Sequence, residues 1–174
     1  MTVSNDQIIK AKNEGLANLE TAAVVCDETG AKFYHLCALL EKESGGHNVY
    51  GHDAGGALAG FPGTVNKGNY EVFRWLVFVK LQTSNGVGPM QITAKSLLAD
   101  MEKIGLKPWD AHDNMTYGSQ LWIGYYAAAR NSGLGVHDAI AKAGAAYNGS
   151  TAYGLRLLEL MIKWRGIVGS SDYS

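Results

Sequence analysis

Proline and cysteine are scarce in this 174-residue chain, at three and two residues, and no long apolar run occurs. Two cysteines, Cys26 and Cys37, cannot make a disulfide framework, and a chain of this length does not need one. Both lie among apolar residues and read as small core side chains. The most hydrophobic segment, residues 73–81, is interrupted by Arg74 and Lys80, so nothing is long enough to span a membrane. Charge of one sign is also missing: fifteen Lys and Arg against sixteen Asp and Glu give a net charge of −1. That balance excludes nucleic acid or an anionic membrane surface as the main partner. The opening residues, MTVSNDQIIKAKNEG, lack the basic-then-apolar pattern of a secretory signal.

What the sequence does have is a sizeable apolar fraction, 47%, enough for a real core. Apolar residues at helical spacing predict seven helices, over residues 5–25, 31–44, 69–81, 93–104, 114–131, 136–146 and 152–164. Residues 45–63 (GGHNVYGHDAGGALAGFPG) are too rich in glycine for a regular helix or a central strand. The expected architecture is a mainly α domain with one glycine-rich excursion between its second and third helices. An N-terminal helix within residues 1–30 is expected to pack on a main domain of residues 31–166, with a flexible tail at residues 167–174. Long glycine-rich loops inside a compact domain are often functional, because a ligand can approach bare backbone there.

In the second helix, Leu36, Leu39, Leu40 and Glu43 share one arc, with Lys42 opposite. Glu43 therefore sits at an apolar rim, at the last turn, where the glycine-rich segment begins. Partial desolvation raises the pKa of such a carboxyl, as a general acid for glycoside cleavage requires. On this observation alone, a solvated glutamate at a helix end is the better explanation of the pattern. Two further segments carry polar groups next to tight turns. GVGPMQIT (residues 86–93) offers Gln91 on a glycine–proline turn, and AAYNGS (residues 145–150) puts Tyr147 and Asn148 at a helix end.

Glu43–Ser44, then GPMQIT, then AAYNGS, in this order, resemble the lytic transglycosylase and goose-type lysozyme superfamily. Asp110, Asn114, Gly118, Leu121 and Tyr125 look like that family's helix ahead of the AYN segment. The inserted NVYGHDAGG (residues 48–56) is similar to catalytic domains of endolysins from phages of mycobacteria and related actinobacteria. The resemblance covers residues 31–154. It implies a lysozyme-like helical fold with a sugar cleft, acting on peptidoglycan at the β-1,4 bond between N-acetylmuramic acid and N-acetylglucosamine. Matched residue by residue, Glu43 takes the place of the catalytic acid and Ser44 that of a substrate contact. Gly88, Met90 and Gln91 would line the cleft floor; Tyr147 would hold the carboxyl or the muramoyl sugar; Asn148 would orient the backbone. Tyr50 and His52 are further substrate contacts of the glycine-rich segment. The resemblance also implies a monomer whose partner is the glycan strand. It would accumulate in the host cytoplasm during infection and reach the cell wall on release.

Three fates of the cleaved sugar remain open: attack by water, by the substrate's acetamido oxygen, or by the muramoyl 6-hydroxyl to give a 1,6-anhydro product. In goose-type lysozymes an Asp follows the MQ-apolar triplet; here that position is Thr93. Asp53, in YGHD, is the remaining candidate for activating water, and a capping carboxylate is its ordinary alternative. No cofactor and no metal are expected. His-Asp pairs occur at 52–53, 112–113 and 137–138, but no metal-site spacing supports them and the last two fall near helix starts. Cys37 lies mid-helix, not where a thiolate is stabilised. A non-catalytic wall-binding or virion module with the same fold is the alternative function. Trp75, Trp109 and Trp122 could stack on sugars in such a module, although their helical spacing suits the core.

Overall fold

Short polar residues start the helices and left-handed residues stop several of them. In the computed structural model, which describes residues 2–169, Ser4 caps α1 (Asn5–Asn13) in a reciprocal box with Gln7. The helices α2 (Leu19–Thr29) and α3 (Phe33–Glu43) follow, separated by Gly30 at φ 77°. Asn66 caps α4 (Lys67–Arg74), which runs directly into a π-helical turn, Trp75–Val79. Then come α5 (Lys95–Lys103), α6 (Ala111–Asn131), α7 (Val136–Asn148) and α8 (Thr151–Val168). The protein is mainly helical. No β-strand occurs among the described residues, only isolated bridges such as Tyr50–Val87 and Val87–Ile92. None of the described helices is long and apolar enough to cross a membrane.

The first predicted helix is in fact two. Periodicity continues through residues 14–18, but the chain breaks there, with Asn18 in the left-handed region at φ 55°. A tertiary tie overrides the local pattern. The Ala17 N–H donates to the Gly45 carbonyl at 2.9 Å and Asn18 Nδ2 to the Gly46 carbonyl at 2.8 Å. The break is thus pinned to the two residues that follow the end of α3. The third predicted helix also ends differently. Its last turn widens, the Lys80 N–H reaching the Trp75 carbonyl at 3.0 Å, and Leu81 takes φ 57°. Helix α6 starts three residues earlier than expected because Asp110 accepts the N–H groups of His112 and Asp113. Helix α8 runs to Val168, past the expected stop at Trp164. Of the expected tail, 170–174 lie outside the described residues.

The core is built around α3 and α8. Residues 33–40 of α3 are all buried, and α8 packs on α3, α7 and α1. Leu157, Leu160, Met161 and Trp164 supply the α8 side. Cys26 and Cys37 are buried and unbridged, as their apolar surroundings predict. Burial pushes the Cys26 thiol up to about 12 and raises that of Cys37, so neither supplies a thiolate.

Helices α7 and α8 approach so closely that a Cβ on Gly154 would lie 2.0 Å from the Ala141 carbonyl oxygen. Backbone cannot give way there. Gly154→Ala is expected to destabilise the fold by about 1–3 kcal/mol. Gly166→Ala, on the same helix but in open space, is expected to be neutral or mildly stabilising. Chemical denaturation of the two variants checks the contrast.

Candidate functional site

Glu43 is the last residue of α3, and its carboxyl faces a cleft of about 770 Å³. One wall carries Glu43, Leu121, Tyr125, Tyr147 and Asn148 from the helices. The other is made of residues 49–53, from the glycine-rich segment, and residues 91–94, from the end of GVGPMQIT onward. These two stretches are held together by backbone pairing, the Gly51 N–H donating to the Gly86 carbonyl at 2.8 Å and the Gly88 N–H to the Val49 carbonyl at 3.0 Å.

The Glu43 carboxyl is held by Tyr153, whose hydroxyl donates a short hydrogen bond to Oε1. Burial raises the Glu43 pKa above the ordinary glutamate range, and the charge of Asp53 adds to the rise. The Tyr153 bond and the Lys42 ammonium act the other way. Lys42 Nζ lies 5.0 Å from the centre of the Tyr153 ring, which is stacked against Tyr147 at 6.5 Å. Burial keeps both phenols protonated. Tyr153 did not stand out in the sequence. Its only local mark is its position in the first turn of α8, where the Ser150 hydroxyl caps its N–H.

The hydrogen bond to the carboxyl comes from Tyr153, while Tyr147, expected to hold the carboxyl or the muramoyl sugar, lines the cleft. The Tyr147 hydroxyl donates to the Met90 carbonyl at 3.3 Å, so it bridges α7 to the opposite wall. Ser44 lines the cleft, but its hydroxyl donates to the Pro89 carbonyl at 2.8 Å and accepts the Gly46 N–H at 3.1 Å. That makes it a tie between α3 and the facing turn. Tyr50 is only 2% exposed; its hydroxyl donates to Asn69 and its ring packs on Phe61 and Phe73. His52 and Asp53 are exposed at the rim, and Asp53 Oδ2 accepts the Gly86 N–H at 2.8 Å. Asn148, the last residue of α7, is exposed on the helical wall of the cleft.

Gly88 and Met90 do not line the cleft; both are buried beneath it. The buried Asn114 side chain accepts the Met90 N–H at 2.9 Å and donates to the Val87 carbonyl at 2.9 Å. A Cβ on Gly88 would meet that amide at 2.5 Å, and one on Gly118 would meet Met90 at 2.7 Å. The turn is therefore fastened to α6 from below. Gln91 has φ 48°, and its Nε2 donates to the carbonyls of Gly88 at 2.8 Å and Val49 at 3.1 Å. Both its amide hydrogens are thus engaged, and only Oε1 is left to face outward.

Among the described residues, Asp110, His112 and Asp113 have ligand-type atoms within 4.8 Å of one another. Each already has a structural partner. Asp110 caps α6, Asp113 Oδ2 accepts the Lys107 N–H at 2.9 Å, and His112 Nε2 pairs with Glu28 at 2.8 Å. Of the tryptophans, Trp122 is core, whereas Trp75 is 49% exposed with Lys80 over its ring. No protein family, curated protein or solved structure matches the chain.

Proposed function

We propose that the protein is a peptidoglycan glycosidase of the endolysin type, with a lysozyme-like fold, in which Glu43 is the general acid. The observation that carries the reading is one carboxyl whose pKa burial raises above the ordinary glutamate range, facing a cleft of about 770 Å³. A cleft of that size falls in the range of small-ligand sites. Cleavage of a glycosidic bond needs a proton on the leaving oxygen as the bond breaks, and a protonated glutamate supplies it. Tyr153 fixes the carboxyl, so the proton is presented from a defined direction. The substrate is the β-1,4 bond between N-acetylmuramic acid and N-acetylglucosamine, the partner is the glycan strand, and the protein acts as a monomer. It works on the bacterial wall after accumulating in the cytoplasm of an infected host.

Mass spectrometry of fragments released from purified peptidoglycan tests this. The expected fragments end in N-acetylmuramic acid, as the free sugar or its 1,6-anhydro form. Fragments that differ only in their peptides, or no release at all, would remove the glycosidase reading and favour a wall-binding module.

A further inference from the structure

We propose that a second pocket, formed by α4 and the turn after α5, binds the free carboxylate end of a short aliphatic peptide, as uncrosslinked stem peptides of the bacterial wall present it. The choice of the wall as the source rests on the glycosidase reading above. The pocket itself shares no lining residue with the Glu43 cleft. It measures about 340 Å³, within the range of small-ligand sites. Tyr70, Leu106 and Trp109 give it an apolar surface, and Arg74 and Lys107 bring positive charge beside them.

The setting of Arg74 carries the assignment. Its Nε donates to both carboxylate oxygens of Glu102, at 3.0 and 3.1 Å, and its guanidinium carbon lies over the Phe78 ring, 5.5 Å from the centre. One edge and one face of the group are thus fixed. The two terminal amino groups accept no partner among the described residues, and their edge matches a carboxylate through two parallel N–H···O bonds. Glu102 does not repel such a ligand strongly, because Arg74 and the Tyr70 hydroxyl, donating at 3.0 Å, already meet its charge. Glu71 stands 4.0 Å from Lys67. Lys107 is engaged through its backbone N–H, on Asp113, and its ammonium has no ion pair among the described residues. Three cations therefore face two carboxylates around the pocket, which leaves room for one more negative charge.

The apolar half is held as firmly. Tyr70 is fully buried and its ring packs on Trp109 at 5.2 Å between centres. The turn that carries Leu106 and Trp109 is pinned at both ends. The Leu106 N–H donates to the Met101 carbonyl at 2.9 Å, and the Trp109 carbonyl accepts Asn48 Nδ2 at 3.0 Å. A site fixed in this way loses little freedom when a ligand enters. Sugar hydroxyls would find few partners on its mainly apolar lining, whereas the methyl groups of an alanyl end pack there with the carboxylate on Arg74.

Titration of the full chain with N-acetyl-D-alanyl-D-alanine, followed by nitrogen–proton NMR, tests the proposal. The Trp109 indole N–H and the amides of residues 105–107 are expected to shift, with half-saturation at about 1 mM. The C-terminal amide of the same dipeptide should bind about tenfold more weakly. Acetate, which has the charge without the body, should cause no shift at the same concentration. Lys107→Ala, at an exposed position, should weaken the dipeptide by about tenfold and keep the unfolding temperature. Arg74→Lys, which retains a cation beside Glu102 but loses the fork, should weaken it as much. Neither variant should change the release of muramic ends from glycan stripped of its peptides. Equal binding of dipeptide and amide, shifts confined to the Glu43 cleft, or larger shifts at Trp109 with an N-acetylglucosamine tetramer would each overturn the carboxylate site and leave the cleft reading intact. Dipeptide binding at Trp109 by a wild type that releases no muramic ends would support the site and sink the glycosidase reading.

Discussion

Glu43→Gln is expected to lower turnover on peptidoglycan by about a thousandfold, with binding of glycan fragments retained. The amide has the shape of the acid and its oxygen can still accept the Tyr153 hydroxyl, but it has no proton to give. The same substitution should stabilise the fold at neutral pH. Burial lifts the Glu43 pKa above its unfolded value, so the native state binds the proton more tightly. The stability linked to that proton is fully present below the ordinary glutamate range and is lost as pH rises through the raised pKa. Gln removes this dependence. Calorimetric unfolding of the variant should therefore exceed wild type at about pH 7 and approach it at about pH 4. A gap that fails to narrow on acidification would show that the carboxyl is not desolvated in the folded protein.

Tyr153→Phe should cost about tenfold in kcat/KM and move the alkaline limb of the pH–rate profile upward. The working form is protonated Glu43, so activity falls as pH rises through that carboxyl's pKa. The Tyr153 hydrogen bond favours the charged form and holds the pKa down. Without it the acid keeps its proton to higher pH, but presents it less well. Tyr147→Phe removes a bond to the Met90 carbonyl instead and should leave the limb where it is. A limb that moves down in Tyr153→Phe, or moves equally in both variants, would mean that the phenol does not act on Glu43.

The helical content and the place of Glu43 on it could be read because both follow from local periodicity. The arc formed by Leu36, Leu39 and Leu40 dictates which side of α3 is buried, and Glu43 falls on that arc. Features set by residues distant in the chain could not be read in this way. Tyr153 reaches Glu43 from 110 positions away. The break between α1 and α2 depends on Gly45 and Gly46, far from the apolar repeat that continues through it. Ser44 and Met90 were expected at the sugar. Short-range pattern cannot tell a hydroxyl facing a ligand from one bonded to the Pro89 carbonyl. Nor can it tell a cleft-floor methionine from one buried against Gly118. Gly51 and Gly86 were visible only as parts of glycine-rich stretches. That they clear room for a single amide oxygen depends on Gln91 turning back toward them, which the spacing does not reveal.

The widened turn at Trp75–Val79 has a bearing on how this chain can change length. It holds one more residue per turn than the helix it prolongs. Val79 within it is 61% exposed. Removing that residue would let the turn relax into ordinary helical winding while its flanks keep their seats. A one-residue deletion is expected to be absorbed here, as thermal unfolding of the shortened protein would check, whereas the same loss in α3 would rotate the acid away from the cleft.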